Sequence, residues 1–347
     1  MNLLLGAIIA IFAGSINGLF ALPMKTMKKW QWENIWFPFS IVSFFIFPFI
    51  MAKLTTPQLV VTLKSLCPGD IIAAMIIGAL AYAGSLMCSL AFEMIGTSLT
   101  FALLVGAMTI VGVLFPILIY HPGVVSTQTG FFIILGVAMV FVSLVLSVIA
   151  GTMKEKNQNS GAAGTKNKKF IIGIILSIAG GTLSGLMSLG MNMSWATSIK
   201  TATINFGGSK ASQASNLVLM LILWGGGIPN LLYSIYKLTK NKNWYRYTDK
   251  DSKRYWLLLL MMCTQYSGSV ILWGISTSEN LLGKLGSSIG WALFVGMIVV
   301  SSNAGGFITG EWKNSGKKAF GIMLTSLSII ILAMVSIGYG NFLFHSI

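Results

Sequence analysis

Residues 14–36 read GSINGLFALPMKTMKKWQWENIW. The stretch starts inside an apolar run, crosses Pro23 and leaves it through Lys25, Lys28 and Lys29. It then turns on Trp30, Trp32 and Glu33 and re-enters an apolar run at Trp36. A helix that crosses a membrane needs about 20 mostly apolar residues and a polar, basic exit. The pattern therefore reads as the end of one span, a short basic connection and the start of a second span.

The composition agrees. The chain of 347 residues is 55% hydrophobic and 9% charged, with a mean hydropathy of +0.82. Soluble domains carry roughly 25% charged residues, so the expected class is an all-α polytopic membrane protein. Ten span-length segments follow, near 3–23, 34–53, 70–92, 97–120, 129–151, 170–195, 212–236, 255–276, 286–308 and 319–341. None alternates with the period of two that barrel strands need. The net charge of +15 sits in connections between apolar runs, which argues for topology signals and against nucleic acid. Of the 23 lysines and arginines, 18 fall in odd-numbered connections. The positive-inside rule places those connections in the cytoplasm and both termini outside it.

The opening stretch has a faint copy. At an offset of 167, Gly6, Ile8, Ile11, Gly14, Gly18, Leu19, Leu22 and Met24 coincide with Gly173, Ile175, Ile178, Gly181, Gly185, Leu186, Leu189 and Met191. The expected organisation is a five-helix repeat over 1–151, a basic cytoplasmic linker over 152–169 and a second five-helix repeat over 170–347. Five spans is an odd number, so the second half inserts upside down. Such 5+5 inverted repeats place the substrate site between the halves, near the midplane.

No span carries a charge near its centre, so neutral polar and aromatic residues become the candidates. Asn17, Tyr82, Ser184, Asn192, Asn216, Gln265, Trp273 and Asn303 are read as substrate-binding candidates. Amides with aromatic platforms suit a neutral sugar, and Trp195 and Trp291 could add stacking faces. Asn17, aligned with Ser184 and flanked by Gly14 and Gly18, leads the set. Interhelical hydrogen bonding is the competing role for each amide. Glu93 and Glu279, at span ends beside short connections, are the proton-coupling candidates. Trp30, Trp32 and Trp36 read as an interfacial belt. Residues 237–254 read as lying along lipid headgroups, and Gly225–Gly227 with Pro229 read as a weak point in span 7. Three cysteines and two histidines form no metal-ligand spacing. No hydrolase, zinc-protease, nucleotide or dinucleotide motif occurs in a suitable context, so neither an enzyme nor a metal or organic cofactor is expected.

The runs PMKTMKKWQWENIW (23–36) and GEWKNSGKK (310–318) resemble signature stretches of the bacterial L-rhamnose–proton symporter family, of the drug/metabolite transporter superfamily. The resemblance covers nearly the whole chain. It implies uptake of L-rhamnose with a proton across the bacterial cytoplasmic membrane, with the sugar, the proton and the bilayer as partners. Lys28, Lys29, Trp30, Trp32, Glu33, Trp36, Glu311, Trp312 and Asn314 fall in the family motifs. A carrier of another sugar or metabolite, or a membrane enzyme acting on lipid-linked sugars, are the alternative classes.

Overall fold

In lipid every backbone donor and acceptor must be satisfied within the protein, and a helix does this locally. The computed structural model describes residues 2–95, 97–158, 168–249 and 252–346, and those residues are helices and short connections without a strand. Among them are ten helical segments long and apolar enough to cross a membrane. In chain order, as spans 1 to 10, they are Leu3–Thr26, Trp32–Thr55, Pro68–Cys88, Leu103–Tyr120, Gln128–Lys154, Lys169–Asn205, Ala211–Lys240, Ser252–Ser276, Gly286–Ile308 and Lys317–His345. Their outer faces present large apolar side chains such as Phe12, Ile72, Phe131, Leu232, Leu257 and Val335. That is the surface a hydrocarbon surround demands and water would penalise.

Local chemistry sets the ends and the irregular turns. Asn2 caps span 1 by accepting from the Leu5 amide at 3.2 Å. Span 2 begins with a box in which the Gln31 amide donates to Asn34 Oδ1 at 3.1 Å. Spans 2 and 4 each widen into a π-helical turn, Ile41–Ile46 and Ile110–Leu114, just before Pro48 and Pro116. A proline ring clashes with the carbonyl four residues back, and one wider turn relieves that clash.

Span 6 is the exception to one helix per crossing. Its 37 residues would reach about 55 Å as one helix, against about 30 Å of hydrocarbon. The helix Lys168–Gly190 stops, turns through Met191–Met193 and restarts as Ser194–Asn205. Span 7 shows the reverse. The expected weak point at Gly225–Gly227 lies inside one continuous helix, Ser215–Lys240. Those glycines serve close approach instead: a Cβ added at Gly225 would strike the Met75 carbonyl, at Gly226 the Tyr82 ring, and at Gly227 Phe44 and Phe45.

The main packing pairs are spans 5 and 10, 3 and 6, 3 and 7, 1 and 9, 1 and 8, 4 and 6, 4 and 5, 2 and 7, and 9 and 10. Gly14 and Gly18 of span 1 let it lie against Phe294, Met297, Ile298 and Ser301 of span 9. Gly181 and Gly185 of span 6 do the same against Leu104, Ala107, Met108 and Val111 of span 4. Spans 5 and 10 are joined by a reciprocal pair, in which Ser143 Oγ donates to the Ser326 carbonyl and Ser326 Oγ to that of Ser143, both at 2.8 Å.

The odd-numbered connections gather at one end of the bundle. There Lys25 pairs with Glu311, Trp30 Nε1 donates to the Arg246 carbonyl at 3.1 Å, and Asn157 Nδ2 donates to the Ser315 carbonyl at 2.7 Å. The even-numbered connections form the other end, where the Gln58 amide donates to the Gly207 carbonyl at 3.1 Å and the Asn2 amide to Asn280 at 3.2 Å. Near the C-terminus, Asn341 Nδ2 bonds the Leu282 carbonyl at this same end, at 3.2 Å.

Glycine packing makes a signed prediction. Gly14→Ala forces a methyl group into the Phe294 carbonyl and costs roughly 1–3 kcal/mol. Gly321→Ala, in span 10, meets open space and gains up to about 1 kcal/mol of helix propensity. Melting temperatures of the purified variants in detergent should move in opposite directions; equal shifts would refute the packing role.

Candidate substrate site

The leading sequence candidate begins a string of polar contacts. Asn17 sits near the end of the helix Leu3–Leu19 and is 8% exposed. Its Nδ2 donates to Ser269 Oγ of span 8 at 2.8 Å, and Ser269 Oγ donates to the Tyr266 carbonyl at 2.6 Å. One turn away the Tyr266 hydroxyl meets the Tyr82 hydroxyl of span 3. Ser184 of span 6 donates to the Ala81 carbonyl beside Tyr82 at 3.3 Å. Spans 1, 3 and 8 thus link Asn17 and Tyr82 through Ser269 and Tyr266, which the sequence reading did not name, while Ser184 of span 6 meets the backbone of span 3 beside Tyr82. Gln265, next in the chain to Tyr266, has a buried Oε1 without a hydrogen-bond partner. A buried amide oxygen left open costs free energy unless another group fills the role.

Aromatic rings wall this string. Phe44 stands edge-on to Tyr82, with centroids 4.6 Å apart. Phe20 and Phe39 each lie 5.3 Å from the Tyr266 ring, and Trp36 lies 4.9 Å from Phe39. Phe44 belongs to the π-helical turn of span 2, so the proline-driven widening bears directly on the wall. Gly226 leaves room for the Tyr82 ring from the side of span 7.

A second polar group lies between spans 4, 6 and 9. Asn192 occupies the break in span 6. Its Nδ2 donates to the Ser188 carbonyl at 3.1 Å and its Oδ1 accepts from Ser287 Oγ at 2.7 Å. Ser188 Oγ donates to the Gly112 carbonyl at 2.8 Å. Trp273 stands between the two groups. It is fully buried, one turn from Ser269, and its ring lies 5.0 Å from Trp291 in an edge arrangement. A Cβ at Gly112 would strike the Trp291 indole. The Trp273 Nε1 has no hydrogen-bond partner.

Other candidates fall elsewhere. Asn216 donates to Thr55 Oγ1 at 3.3 Å between spans 7 and 2, and Asn303 only bonds Val299 in its own helix at 2.9 Å. Trp195 Nε1 faces the Met193 sulfur at 3.2 Å. Glu279 is exposed in the connection between spans 8 and 9, and the side chain of Glu93 lies outside the described residues. A groove of about 420 Å³ between spans 4, 5 and 6 is lined by Leu103, Ala107, Ile110, Phe141, Leu144 and other apolar side chains. No polar side chain lines it.

The family-motif residues do a different job. Glu33 is 4% exposed, and its Oε1 accepts from Asn241 Nδ2 at 2.8 Å and Asn243 Nδ2 at 2.6 Å. Asn34 adds a bond to the Asn243 carbonyl at 2.9 Å, and Arg246 donates to the Lys29 carbonyl. Trp30, expected in a lipid-interface belt, is instead 4% exposed inside a box of Tyr247, Tyr255 and Trp256. Its indole N–H needs an acceptor, and the connection after span 7 supplies one. Burial, with the neighbouring Glu33 charge, holds the Tyr247 phenol above its ordinary range. Trp32 and Trp36 stack on each other at 5.8 Å. Lys28 and Lys29 are exposed on the same turn. Trp312 packs on Phe307 at 5.7 Å beneath Lys154, 4.9 Å from its ring, and Asn314 holds a left-handed turn with φ 67°. Apart from Trp36, which also packs on Phe39 of the aromatic wall, these residues join span ends and do not line the polar interior.

The fold is thus that of a ten-helix membrane protein with a polar, ring-walled interior, a class that includes many carriers. The model of the L-rhamnose-proton symport protein family matches residues 1–342, and the chain belongs to that family. The L-rhamnose-proton symporter of Escherichia coli O9:H4 (strain HS) is 25% identical over 328 residues, which are 92% of this chain and 93% of the relative. The symporter of that name from Citrobacter koseri is likewise 25% identical over 328 residues, with the same coverage. That from Klebsiella pneumoniae subsp. pneumoniae is 24% identical, again over 92% and 93%.

Glu33→Ala strands the buried Asn243 amide donor and frees the exposed Asn241 one, and should cost roughly 1–3 kcal/mol, read as a lower melting temperature in detergent. Glu33→Gln keeps one acceptor and should lose less. An unchanged Glu33→Ala would remove the anchoring role.

Proposed function

We propose that this chain carries L-rhamnose, with a proton, across the bacterial cytoplasmic membrane by alternating access, as a member of the drug/metabolite transporter superfamily. The observation that carries this reading is the family match over residues 1–342, together with relatives named L-rhamnose-proton symporters across 92% of the chain. The interior fits the substrate class. A neutral sugar is recognised by hydrogen bonds and ring faces, and Asn17, Ser269, Tyr266, Tyr82 and Gln265 supply both between spans from the two halves.

Alternating access by rocking needs two comparable halves, and the packing supports a 5+5 inverted repeat. The glycines matched at offset 167 contact partners that are themselves matched. Phe294, Met297, Ile298 and Ser301 stand to span 1 as Leu104, Ala107, Met108 and Val111 stand to span 6, each pair 190 residues apart. Gly6 lies against Leu281 and Leu282, and Gly173 against Met94 and Ile95. The packing pairs obey the same rule: 1 with 8 answers 6 with 3, 1 with 9 answers 6 with 4, and 4 with 5 answers 9 with 10. Spans 5 and 10 meet as mutual images, as the reciprocal Ser143 and Ser326 bonds suggest. The repeats are then 1–151 and 170–347, joined through 152–169, of which 159–167 lie outside the described residues. The basic odd-numbered connections share one end, which the positive-inside rule assigns to the cytoplasm. Both termini then face outward, and Glu33 and Trp30 belong to an inner closure.

A second reading keeps the carrier and changes the cargo: identities of 24–25% leave room for another sugar. Labelled L-rhamnose uptake by cells expressing the chain tests both. Uptake abolished by a protonophore supports symport, uptake indifferent to it removes the proton, and no uptake above an empty vector removes the sugar. Among variants, Asn17→Ala should lose uptake by about tenfold or more if its amide anchors a sugar hydroxyl, since a lost polar contact of about 1.4 kcal/mol is a factor of ten. Asn303→Ala should transport normally, and equal activity of both variants would move the site elsewhere.

A further inference from the structure

Lys200 is placed by the sequence among connection charges; the structure turns it inward. It stands on the helix Ser194–Asn205, after the break in span 6, and its side chain is half-buried. The ammonium reaches back and donates to the Met191 carbonyl at 2.9 Å. The next residue, Asn192, belongs to the polar group with Ser188, Ser287 and the Gly112 carbonyl. A half-buried cation therefore closes the break in span 6, one residue from the member Asn192 of that polar group, at the outer end of the bundle on the orientation proposed above. Beside Glu279, Ser278 Oγ is buried without a partner.

The surroundings of Lys200 can be enumerated. Its helix packs on span 3, on span 7 and on the short helix Leu59–Ser65. The charged groups there are Asp70 at the start of span 3, Lys210 before span 7 and Lys64. The connection after span 8 contributes Glu279, whose negative charge acts on Lys200. Glu279 itself is exposed, so it is poorly placed to carry a proton through the protein, whereas the lysine is half-buried and bonded at the break in span 6.

We propose that Lys200, held at the break in span 6, is the group that takes up and releases the coupled proton. The proposal rests on the symport reading. A lysine amine changes charge with its surroundings: water favours the ammonium, and enclosure favours the neutral amine. Opening of the outer end would hydrate the amine and protonate it. Closure around the sugar would return it to the Met191 carbonyl at the break in span 6 and favour release of the proton inward. The bland role, closing the carbonyl end of the helix Lys168–Gly190, needs only a donor.

Lys200→Arg separates the two roles. Arginine keeps a donor for Met191 but does not give up its proton. In proteoliposomes or cells, Lys200→Arg and Lys200→Met should lose proton-driven accumulation of labelled L-rhamnose while retaining sugar counterflow, which needs no net proton movement. Accumulation by Lys200→Arg at the wild-type level would overturn the proposal and leave the helix-closing role. Loss of counterflow as well, in a variant that elutes and melts like wild type, would also overturn it, by making Lys200 a binding residue. Wild-type uptake indifferent to a protonophore would defeat the symport reading, and the proposal with it. Coupled wild-type uptake with coupled uptake by Lys200→Arg defeats the proposal alone.

Discussion

A polar side chain inside a membrane protein has no water to fall back on, and the interior of this molecule is arranged by that constraint. Leaving an amide or hydroxyl without a partner in hydrocarbon costs several kcal/mol. A hydrogen bond between membrane helices returns only about 0.6 kcal/mol on average. The asymmetry decides what the string from Asn17 through Ser269 and Tyr266 to Tyr82 achieves. It adds little to stability, but any slip between spans 1, 3 and 8 would strand several groups at once. The string thus fixes register, and it does so with amide and hydroxyl groups, the kind the proposed sugar would need as partners.

Close approach comes from a different source. Gly14 and Gly18 bring span 1 against span 9, and Gly181 and Gly185 bring span 6 against span 4. Between helices in lipid the attraction is van der Waals packing, which small residues maximise. These contacts are made by backbone carbonyls and the near ends of side chains and carry no titratable group. On the alternating access proposed above, the seams would move as units and the polar string would change partners.

Much of this was legible in the sequence, for identifiable reasons. Span positions follow from apolar run length, and the gathering of odd-numbered connections follows from lysine and arginine placement. Asn17, Tyr82 and Ser184 could be picked because polar groups are scarce in these spans. Tyr266 was missed although it adjoins Gln265, because one tyrosine in a span looks like packing until its hydroxyl partner is known. The break in span 6 was missed because no proline or charge marks Met191–Met193; length alone, 37 residues, gives it away. The glycines of span 7 were misread as a weak point because a glycine run signals either looseness or close approach, and only the facing Met75, Tyr82 and Phe44 decide between them. Trp30 was assigned to lipid because tryptophan near basic residues usually sits there, and its box came from 216 and more residues away in sequence.

The opening stretch, residues 14–36, therefore holds two separate devices. Up to Phe20 it faces the interior, through the Asn17 amide and the Phe20 ring. From Lys25 onward it closes one end, through the Lys25 pair with Glu311, the buried Trp30 and the Glu33 carboxylate held by Asn241 and Asn243. The closing contacts join the turn between spans 1 and 2 to connections of the second half, so they must part if the halves rock open at that end. The two devices lie on one short stretch of chain, separated by the helical turn Leu22–Thr26. On the function proposed above, a movement of Asn17 would reach the closure along this one stretch, without passing through any other span.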